Sequence, residues 1–225
     1  MNKIQSIAAR VGITPTPMQE TVAGRMLHTD RNLVVLSPTG SGKTYAYLLP
    51  LAAQLDAEAE GVQAVVVVPG RELALQSQQV LESMRTGLRV MAVYGGRPTM
   101  DEHRKMREVR PQVIFGTPGR LNDHIAKGNI DVTDVAVLVI DEYDKCLEMG
   151  FHAEMSRLVG SLPAMSRKVL LSATRAGEVP PFMRNALKEA PEVLDFLPAD
   201  EVVPDRVVVN QVRSESRDKL PALLQ

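Results

Sequence analysis

The sequence predicts a three-layer α/β fold, with helices on both faces of a mostly parallel central sheet. Short apolar runs rich in β-branched residues, such as 65–68, alternate with segments that have the periodicity of helices. A strand that is apolar along its whole length is buried on both faces, which is typical of parallel sheets covered by helices. Polar and glycine-rich stretches follow the apolar runs, at the strand ends where such sheets bind ligands.

Seven strands and six helices can be placed from these patterns. The candidate strands, of which the last has the weakest pattern, are 33–37, 64–69, 89–93, 112–116, 136–140, 168–172 and 192–196. The candidate helices are 19–28, 44–55, 71–84, 99–108, 119–126 and 179–190. In the third of these helices Leu73, Val80, Leu81 and Met84 share one face, as in an amphipathic helix.

Length and composition indicate one globular α/β unit. The chain has 225 residues, of which 44% are hydrophobic and 24% charged, and these values argue against disorder. No apolar run approaches the ~20 residues that cross a membrane, and the first residues lack the apolar core of a secretory signal. Four scattered histidines show no paired spacing, so no zinc site is predicted.

Cysteine usage and net charge restrict the compartment and the partners. The single cysteine, Cys146, cannot form a disulfide within the chain, so we expect a reducing compartment and a cytoplasmic protein. The side chain itself is best interpreted as a small buried apolar group. The net charge is −1, from 26 basic and 27 acidic residues. A nucleic-acid partner would therefore bind through local groups rather than through a basic surface.

The first candidate strand runs into a glycine-rich loop that ends in Lys43 and Thr44. A strand, a glycine loop, Lys-Thr and a helix form the context in which this pattern binds phosphate through backbone N–H groups. Lys43 would reach the terminal phosphates, and the Thr44 hydroxyl would bind Mg²⁺. Ser37 replaces the first glycine of the strict pattern, and a simple strand–turn–helix connection is the alternative interpretation. The predicted nucleotide-binding residues of the loop are Thr39, Gly40, Ser41, Gly42, Lys43 and Thr44.

The candidate strand 136–140 delivers two acidic residues, Asp141 and Glu142, at its end. A phosphate-bound Mg²⁺ commonly has an acidic ligand beside the loop threonine, and Asp141 is placed for that role. Glu142 is the candidate that orients and deprotonates an attacking water. The alternative is that both acids only cap a following helix. Because the glycine loop lies upstream, catalysis is favoured, with Lys43, Asp141 and Glu142 as the predicted catalytic residues.

Seven short motifs stand at these strand ends in a fixed order: Thr16-Pro17-Met18-Gln19, Ser37 to Thr44, Pro69-Gly70-Arg71-Glu72-Leu73-Ala74, Gly95-Gly96, Thr117-Pro118-Gly119-Arg120, Asp141-Glu142-Tyr143-Asp144 and Ser172-Ala173-Thr174. With this set the chain resembles the first core domain of DEAD-box RNA helicases, which has a RecA-like P-loop NTPase fold. Each tripeptide is weak by itself, but seven in register are specific. The resemblance covers 11–197, nearly the whole chain.

The resemblance implies a helicase domain that binds ATP, Mg²⁺ and RNA. Gln19 would read the edge of the adenine, and Ser172 and Thr174 would couple the nucleotide site to strand separation through hydrogen bonds with Asp144. The implied coupling residues are Asp144, Ser172, Ala173 and Thr174. The implied contacts to the RNA backbone are Pro69, Gly70, Arg71, Glu72, Gly95, Gly96, Thr117, Pro118, Gly119 and Arg120.

The implied RNA contacts have a physical basis. Contacts to phosphates and 2′-hydroxyls give a grip that is independent of sequence and that distinguishes RNA from DNA. Gly95, Gly96 and Gly119 allow another backbone to approach closely. The Arg120 guanidinium can donate to a phosphate, with capping of a local helix end as the alternative. For Arg71 the alternative is an ion pair with the adjacent glutamate or another neighbour.

The sequence departs from the family pattern at four places. Tyr143 stands where an alanine gives the family its name, but the three carboxylates of the motif are present. Gly70 replaces a threonine, and the segment before Gln19 is one residue shorter than is typical. No aromatic residue precedes Tyr45 to stack on an adenine. We expect activity to survive the change at Tyr143, and adenine selectivity to rest on Gln19 and backbone groups.

Two regions are expected along the chain. Residues 1–199 would form the ATP-binding domain, and 200–225 a linker and the start of a second helicase domain, with a candidate strand at 207–212. In the family, the second domain supplies the arginines that complete the ATP site, and an added arginine is worth ~10³-fold or more in phosphoryl transfer. We therefore expect this chain to be part of a two-domain enzyme. Alone, as a monomer, it should bind nucleotide but hydrolyse it poorly.

Two other classes of function remain open from the sequence. The chain could be a DNA-directed helicase or translocase, although the Pro-Met-Gln and Ser-Ala-Thr elements argue against that class. It could also be a non-catalytic RNA-binding module that kept the fold, which intact Lys43, Asp141 and Glu142 disfavour. No membrane partner is predicted.

Overall fold

The predicted strands form one parallel sheet. The computed structural model describes residues 3–162, 167–175 and 190–198. Its strands are β1 (Leu33–Leu36), β2 (Ala64–Val67), β3 (Val90–Val93), β4 (Val113–Gly116), β5 (Val137–Ile140), β6 (Arg167–Ser172) and β7 (Glu192–Asp195). They lie in the order β3-β4-β2-β5-β6-β1-β7, and every neighbouring pair is parallel. The predicted α/β class is therefore confirmed.

Eight helices surround the sheet in the described part of the chain. They are α1 (Lys3–Arg10), α2 (Pro17–His28), α3 (Lys43–Gln54), α4 (Arg71–Ser83), α5 (Thr99–Val109), α6 (Pro118–Ala126), α7 (Tyr143–Glu148) and α8 (His152–Gly160). Helices α2 to α6 correspond to predicted helices, with ends that differ by two residues at most. The predicted helix 179–190, except for its last residue, and the candidate strand 207–212 lie outside the described residues.

Helices α1, α7 and α8 go beyond the sequence prediction. They have 8, 6 and 9 residues, which leaves few positions in which an apolar period can show. Helices of this length are marginal in isolation and depend on tertiary packing. In α1, for example, Ile4, Ile7 and Ala8 are buried, and the helix packs against α3.

Both faces of the sheet are buried, which explains why the strands are apolar along their whole length. In β1, Leu33 and Val35 pack into a core beneath α1 to α4, whereas Val34 and Leu36 pack into a second core beneath α5 to α8. Strand β7 differs from the other strands, including β3 at the opposite side of the sheet, which is buried along its whole length. The residues of β7 alternate between half-buried and exposed, and this explains its weak pattern in the sequence.

Cys146 lies in the core beneath α5 to α8, as its interpretation as a small apolar side chain predicts. Burial raises the pKa of its thiol to about 12, with smaller contributions from neighbouring carboxylates, so the thiol is protonated at neutral pH. Among residues 3–162, 167–175 and 190–198, no helix is long and apolar enough to cross a membrane. The same ranges contain no cluster of three or more His, Cys, Asp or Glu side chains arranged to hold a metal ion.

Candidate nucleotide site and nucleic-acid interface

The sheet order sorts the predicted site residues into two adjacent groups. All strands run the same way, so the motifs that follow them meet at one end of the sheet, where the carboxyl ends of the strands lie. The neighbours β1, β6 and β5 carry one group, here called the nucleotide half: residues 37–44, 172–174 and 141–144. The neighbours β2, β4 and β3 carry the other, here called the nucleic-acid half: residues 69–72, 117–120 and 95–96.

The glycine loop has a backbone that requires glycine at two positions. Gly40 and Gly42 have φ values of +75° and +86°, in the left-handed region that other residues avoid. A Cβ atom on Gly42 would also lie only 2.4 Å from Nε2 of Gln19. Gly42 is the N-cap of α3, so the free N–H groups and the positive dipole end of this helix are directed at the loop. This geometry suits the binding of a phosphate group.

Lys43 is folded back onto the loop that carries it. Its Nζ donates hydrogen bonds to the carbonyl oxygens of Ser37, at 2.7 Å, and Pro38, at 2.8 Å. Burial lowers the pKa of Lys43, against the opposing effect of the carboxylates that follow β5. The Ser37 hydroxyl donates to the Ser41 hydroxyl at 2.7 Å, so the residue that departs from the strict pattern is itself part of the loop.

Gln19 links α2 to the glycine loop. It forms a capping box with Thr16, in which Oε1 accepts from the Thr16 N–H at 2.9 Å and the Gln19 N–H donates to the Thr16 hydroxyl at 3.3 Å. Its Nε2 donates to the Gly42 carbonyl at 3.1 Å. Gln19 therefore positions the loop through a contact that the sequence did not indicate. Its reading of an adenine stays a prediction.

Asp141 and Glu142 leave β5 side by side at the nucleotide half. Asp141 is 2% exposed, and its Oδ1 accepts the N–H of Glu142 at 2.9 Å. Burial, with a further contribution from the charge of Glu142, raises the pKa of Asp141 to about 6. A buried carboxylate of this kind is stabilised by a cation, and Thr44 lines the same cavity. A hydroxyl, a carboxylate and phosphate oxygens are the donors that Mg²⁺ accepts, so the residues fit this ion.

A cavity of about 340 Å³ opens between the glycine loop, β5 and α4. Predicted residues that line it are Thr39, Gly40, Gly42, Lys43, Thr44, Asp141 and Glu142. Four further residues line it without having been predicted: Tyr45, Leu73, Gln76 and Val80. The last three lie at i, i+3 and i+7 on α4, so the helical period was the signal that could have found them. Ser41 and Gln19, which were also predicted, are not among the residues that line it.

Asp144 connects α7 to the Ser-Ala-Thr motif after β6. Its Oδ2 accepts from the Thr174 hydroxyl at 3.0 Å, as predicted, and from the Ala173 N–H at 3.3 Å. The predicted hydrogen bond between Asp144 and Ser172 is wrong for this structure. The Ser172 hydroxyl instead donates to the Thr174 carbonyl at 2.8 Å and accepts from the Thr174 N–H at 3.1 Å, because it closes a local turn.

Tyr143, at the position that departs from the family pattern, fits into the core. It is the first residue of α7, it is 4% exposed, and its ring packs into the core between the sheet and α5 to α8. Burial and the neighbouring charge of Asp144 raise the pKa of its phenol.

The nucleic-acid half presents backbone and side chains to solvent. Arg71, Glu72, Gly95, Gly96 and Gly119 are exposed, whereas Pro69 and Pro118 are buried and Gly70 and Thr117 are half-buried. A Cβ atom on any of the exposed glycines would meet no other atom within 4 Å, so open space adjoins their backbone. Within the described residues Arg71 has no ion-pair partner.

Arg120 turns away from solvent towards other residues of the protein. Its guanidinium donates to the carbonyl of Tyr94 at 3.1 Å, to the Thr99 hydroxyl at 2.6 Å and to the carbonyl of Arg97. Its Nε also forms an ion pair with Glu102 at 3.2 Å, and the side chain is 11% exposed. Neither a phosphate contact nor a helix cap describes these interactions. The phosphate contact stays a prediction.

The parallel sheet, the glycine loop and the acidic strand end define a RecA-like P-loop NTPase. The family model for DEAD/DEAH box helicases matches residues 16–180, and the chain belongs to this family. It is 37% identical over 183 residues to the ATP-dependent RNA helicase DeaD of Escherichia coli, a match that covers 80% of this chain and 29% of that protein. It is 36% identical to the ATP-dependent RNA helicase CshA of Listeria monocytogenes over 76% of this chain and 33% of that protein.

Two solved structures share the fold. A DEAD box protein from the hyperthermophile Methanococcus jannaschii is 28% identical with a TM-score of 0.77, over 86% of this chain and 53% of that one. The DEAD-box helicase Mss116 bound to ssRNA and UDP-BeF is 27% identical with a TM-score of 0.79, over 88% of this chain and 44% of that one. The chain thus spans about a third of the length of the curated relatives named above.

Proposed function

We propose that this chain is the ATP-binding domain of an ATP-dependent RNA helicase. The proposal rests on the division of one end of the sheet, formed by the carboxyl ends of the strands, into a nucleotide half and a nucleic-acid half. The two halves adjoin where β2 pairs with β5, at Val67 and Ile140, so a ligand at one half can influence the other. The relatives named as ATP-dependent RNA helicases support it, as does the neighbour bound to ssRNA and UDP-BeF.

In this proposal the nucleotide half binds ATP with Mg²⁺. The N–H groups from Gly40 to Thr44 and the Lys43 ammonium hold the phosphates, and Thr44 and Asp141 hold the ion. When bound, Mg²⁺ neutralises charge on the terminal phosphates. Glu142 orients the attacking water and accepts its proton. Gln19, held between Thr16 and Gly42, presents its remaining N–H to the base.

The nucleic-acid half binds one RNA strand through its backbone. Gly95, Gly96, Gly119 and Arg71 are exposed and follow the neighbouring strands β3, β4 and β2, and in this proposal their N–H groups donate to phosphate oxygens. Contacts of this kind carry no sequence information, which suits an enzyme that acts on many duplexes. The nearly balanced net charge predicts that binding depends on this local surface rather than on the field of the whole domain.

Hydrolysis is coupled to RNA by the Asp144–Thr174 contact and by a further domain. The relatives are about three times as long as the matched region, and we propose that a second helicase domain supplies the arginines that complete the ATP site. Residues 1–199 would be the ATP-binding domain, and 200–225 the connection to the second. The chain alone would be a cytoplasmic monomer that binds nucleotide and turns it over slowly.

Nucleotide selectivity tests the proposal. The affinities of the chain for ATP, ADP and GTP should be measured by titration with a fluorescent ADP as competitor. We expect ATP and ADP to bind at least about tenfold more tightly than GTP, because a guanine presents the wrong hydrogen-bonding edge to Gln19. Lys43→Ala should weaken all three. Equal affinities for ATP and GTP would mean that Gln19 is only structural.

RNA and DNA of one sequence separate the leading function from its alternative. Competition for the chain between the two single strands should favour RNA, because 2′-hydroxyl contacts distinguish the two. Equal competition would favour a DNA-directed helicase or translocase.

A further inference from the structure

Glu102 is a buried carboxylate that neither the nucleotide half nor the nucleic-acid half includes. It lies on α5, it is 5% exposed, and three donors converge on it. Its Oε1 accepts the backbone N–H of Tyr94 at 3.1 Å. Its Oε2 lies 2.9 Å from Nε2 of His124 and 3.2 Å from Nε of Arg120.

Two of the partners of Glu102, Tyr94 and Arg120, connect it to segments of the nucleic-acid half. Tyr94 directly precedes the glycine pair 95–96, and Arg120 ends the segment 117–120. Arg120 also donates to the carbonyls of Tyr94 and Arg97, which flank the glycine pair on both sides. One carboxylate and one guanidinium therefore tie the loop after β3 to the first turn of α6.

His124 extends this network by connecting Glu102 to Asn129. The ring is fully buried, and its Nδ1 lies 3.1 Å from the amide nitrogen of Asn129. Because that amide nitrogen can only donate, Nδ1 accepts and the proton of a neutral ring resides on Nε2, which then donates to Glu102. All three donors around Glu102 are thus oriented towards its carboxylate.

The loop that this network holds is exposed, and its other contacts include the Arg97 guanidinium over the ring of Tyr94, 4.9 Å from the ring centre. Gly95, Gly96, Arg97 and Pro98 are all exposed, and Gly96 has a φ of +88°. A solvent-exposed segment without buried apolar contacts samples many conformations unless specific hydrogen bonds restrict it. A buried carboxylate is costly unless it is paired, and an apolar residue could fill the same space on α5. The network therefore has a role beyond packing.

We infer that Glu102 is a positioning residue for RNA binding, which holds the glycine pair 95–96 and the segment 117–120 in one fixed relative placement. Exposed N–H groups on both segments then meet the phosphates of a single strand without first having to become ordered. The inference rests on the proposed RNA-binding function of the nucleic-acid half. Its chemical partner is the sugar–phosphate backbone of single-stranded RNA, and Glu102 itself does not touch that partner.

The test compares Glu102→Ala and Glu102→Gln with the unaltered 225-residue chain. RNA affinity is measured by anisotropy with a labelled single-stranded RNA at low salt, and nucleotide affinity with a fluorescent ADP. The alanine variant should lose about tenfold in RNA affinity, and the glutamine variant about threefold, since ordering of the loop then opposes binding. Glutamine has a single acceptor oxygen, which can accept from the Tyr94 N–H, but it then presents an NH₂ group to His124 and removes the closer of the two carboxylates that pair with Arg120. Nucleotide affinity should stay within about twofold.

Hydrogen exchange supplies a readout that a general loss of structure would not give. Amides at 94–97 and 117–120 should exchange faster in both variants, while amides at 37–44 keep their rates. Glu60→Ala is the matched control, because the ion pair of Glu60 with Arg110 is exposed. Glu60 precedes β2 and Arg110 precedes β4, so the pair belongs to the end of the sheet opposite the two sites. The Glu60→Ala substitution should change neither the RNA affinity nor these exchange rates.

The outcomes distinguish the inference from the proposed function. If the unaltered chain binds nucleotide but no RNA, the proposed function fails. If the unaltered chain binds RNA and folded variants bind it equally well, the role of Glu102 is overturned. A parallel loss of nucleotide affinity would likewise overturn it. Should the alanine variant not fold, the glutamine variant decides in the same way.

Discussion

At the scale of single residues, Asp141 shows a conflict between stability and function. Burial and the neighbouring Glu142 raise its pKa from 3.8 to about 6, so the folded protein binds a proton at this carboxyl more tightly than the unfolded chain does. Stability from this group is present below pH 3.8 and is lost as the pH rises through about 6. At neutral pH the ionised carboxylate of Asp141 therefore destabilises the folded protein, and a bound cation would offset this effect.

Asp141→Asn should stabilise the chain without ligands at pH 7. We expect the free energy of unfolding, measured by urea titration, to rise by about 3 kcal/mol at pH 7, since the pKa is raised from 3.8 to about 6 and each pKa unit corresponds to about 1.4 kcal/mol. The gain should shrink towards zero as the pH falls to about 4. Mg²⁺ should no longer strengthen nucleotide binding by the variant. Asp123→Asn is the control, because a hydrogen bond with Lys127 lowers the pKa of Asp123 and its removal should bring no gain.

A gain in stability for Asp141→Asn that grows on acidification would contradict this account of Asp141. So would a variant whose nucleotide binding still responds to Mg²⁺ as that of the unaltered chain does. Either result would mean that the carboxylate is paired within the protein rather than available to a cation.

At the scale of elements, the start of α2 and the glycine loop act as one unit. The capping box of Thr16 and Gln19 begins the helix, and the same glutamine holds the Gly42 carbonyl. Thr16→Ala should cost about 1 kcal/mol of stability, as loss of an N-cap does. Because Gln19 is then held less firmly, ATP affinity should fall several-fold. Urea unfolding and nucleotide titration give the two values.

Thr21→Ala is the matched control for this change. The Thr21 hydroxyl is exposed and donates to the Pro17 carbonyl one turn earlier, away from the loop. The Thr21→Ala substitution should change the free energy of unfolding by no more than about 0.5 kcal/mol and should leave ATP affinity unchanged. A Thr16→Ala variant with lower stability but unchanged ATP affinity would show that the helix cap and the loop are independent.

The sequence patterns predicted most of the elements because burial leaves a local signal. Continuous apolar runs such as 65–68 report burial on both faces, and the glycines of the phosphate loop report a left-handed backbone. Short elements leave no such signal, as α7 with its six residues shows. The ends of the other elements differ slightly because strand pairing, rather than composition, decides where a ladder stops.

Apart from the Asp144–Thr174 hydrogen bond, which the family resemblance implied, the contacts between distant segments of the site could not be predicted. Arg120 donates to a carbonyl 26 positions earlier, and Gln19 to one 23 positions later. Nothing in the residue type or its neighbours indicates such a partner, because the pairing is created by the order of strands in the sheet. The same reason explains why the contacts of Glu102 with Tyr94, His124 and Arg120 could not be predicted.

At the scale of the whole molecule, the sheet order β3-β4-β2-β5-β6-β1-β7 is the central feature. It brings motifs from nearly the whole length of the chain together in two neighbouring sites at the carboxyl ends of the strands. Our central claim is that these sites bind different ligands, ATP at the nucleotide half and RNA at the nucleic-acid half. Gly119→Ala separates them, since the added methyl group enters open space and should block the RNA backbone without disturbing the fold.

The most direct test is an amide-resolved NMR titration of the chain with Mg²⁺–ADP and, separately, with single-stranded RNA. The account predicts that the nucleotide shifts amides at 37–44 and 141–144, whereas RNA shifts amides at 69–72, 95–97 and 117–120. In Gly119→Ala the RNA-induced shifts should be reduced and the nucleotide-induced shifts retained. Shifts from both ligands at the same set of amides, or an RNA response confined to the nucleotide half, would contradict the account.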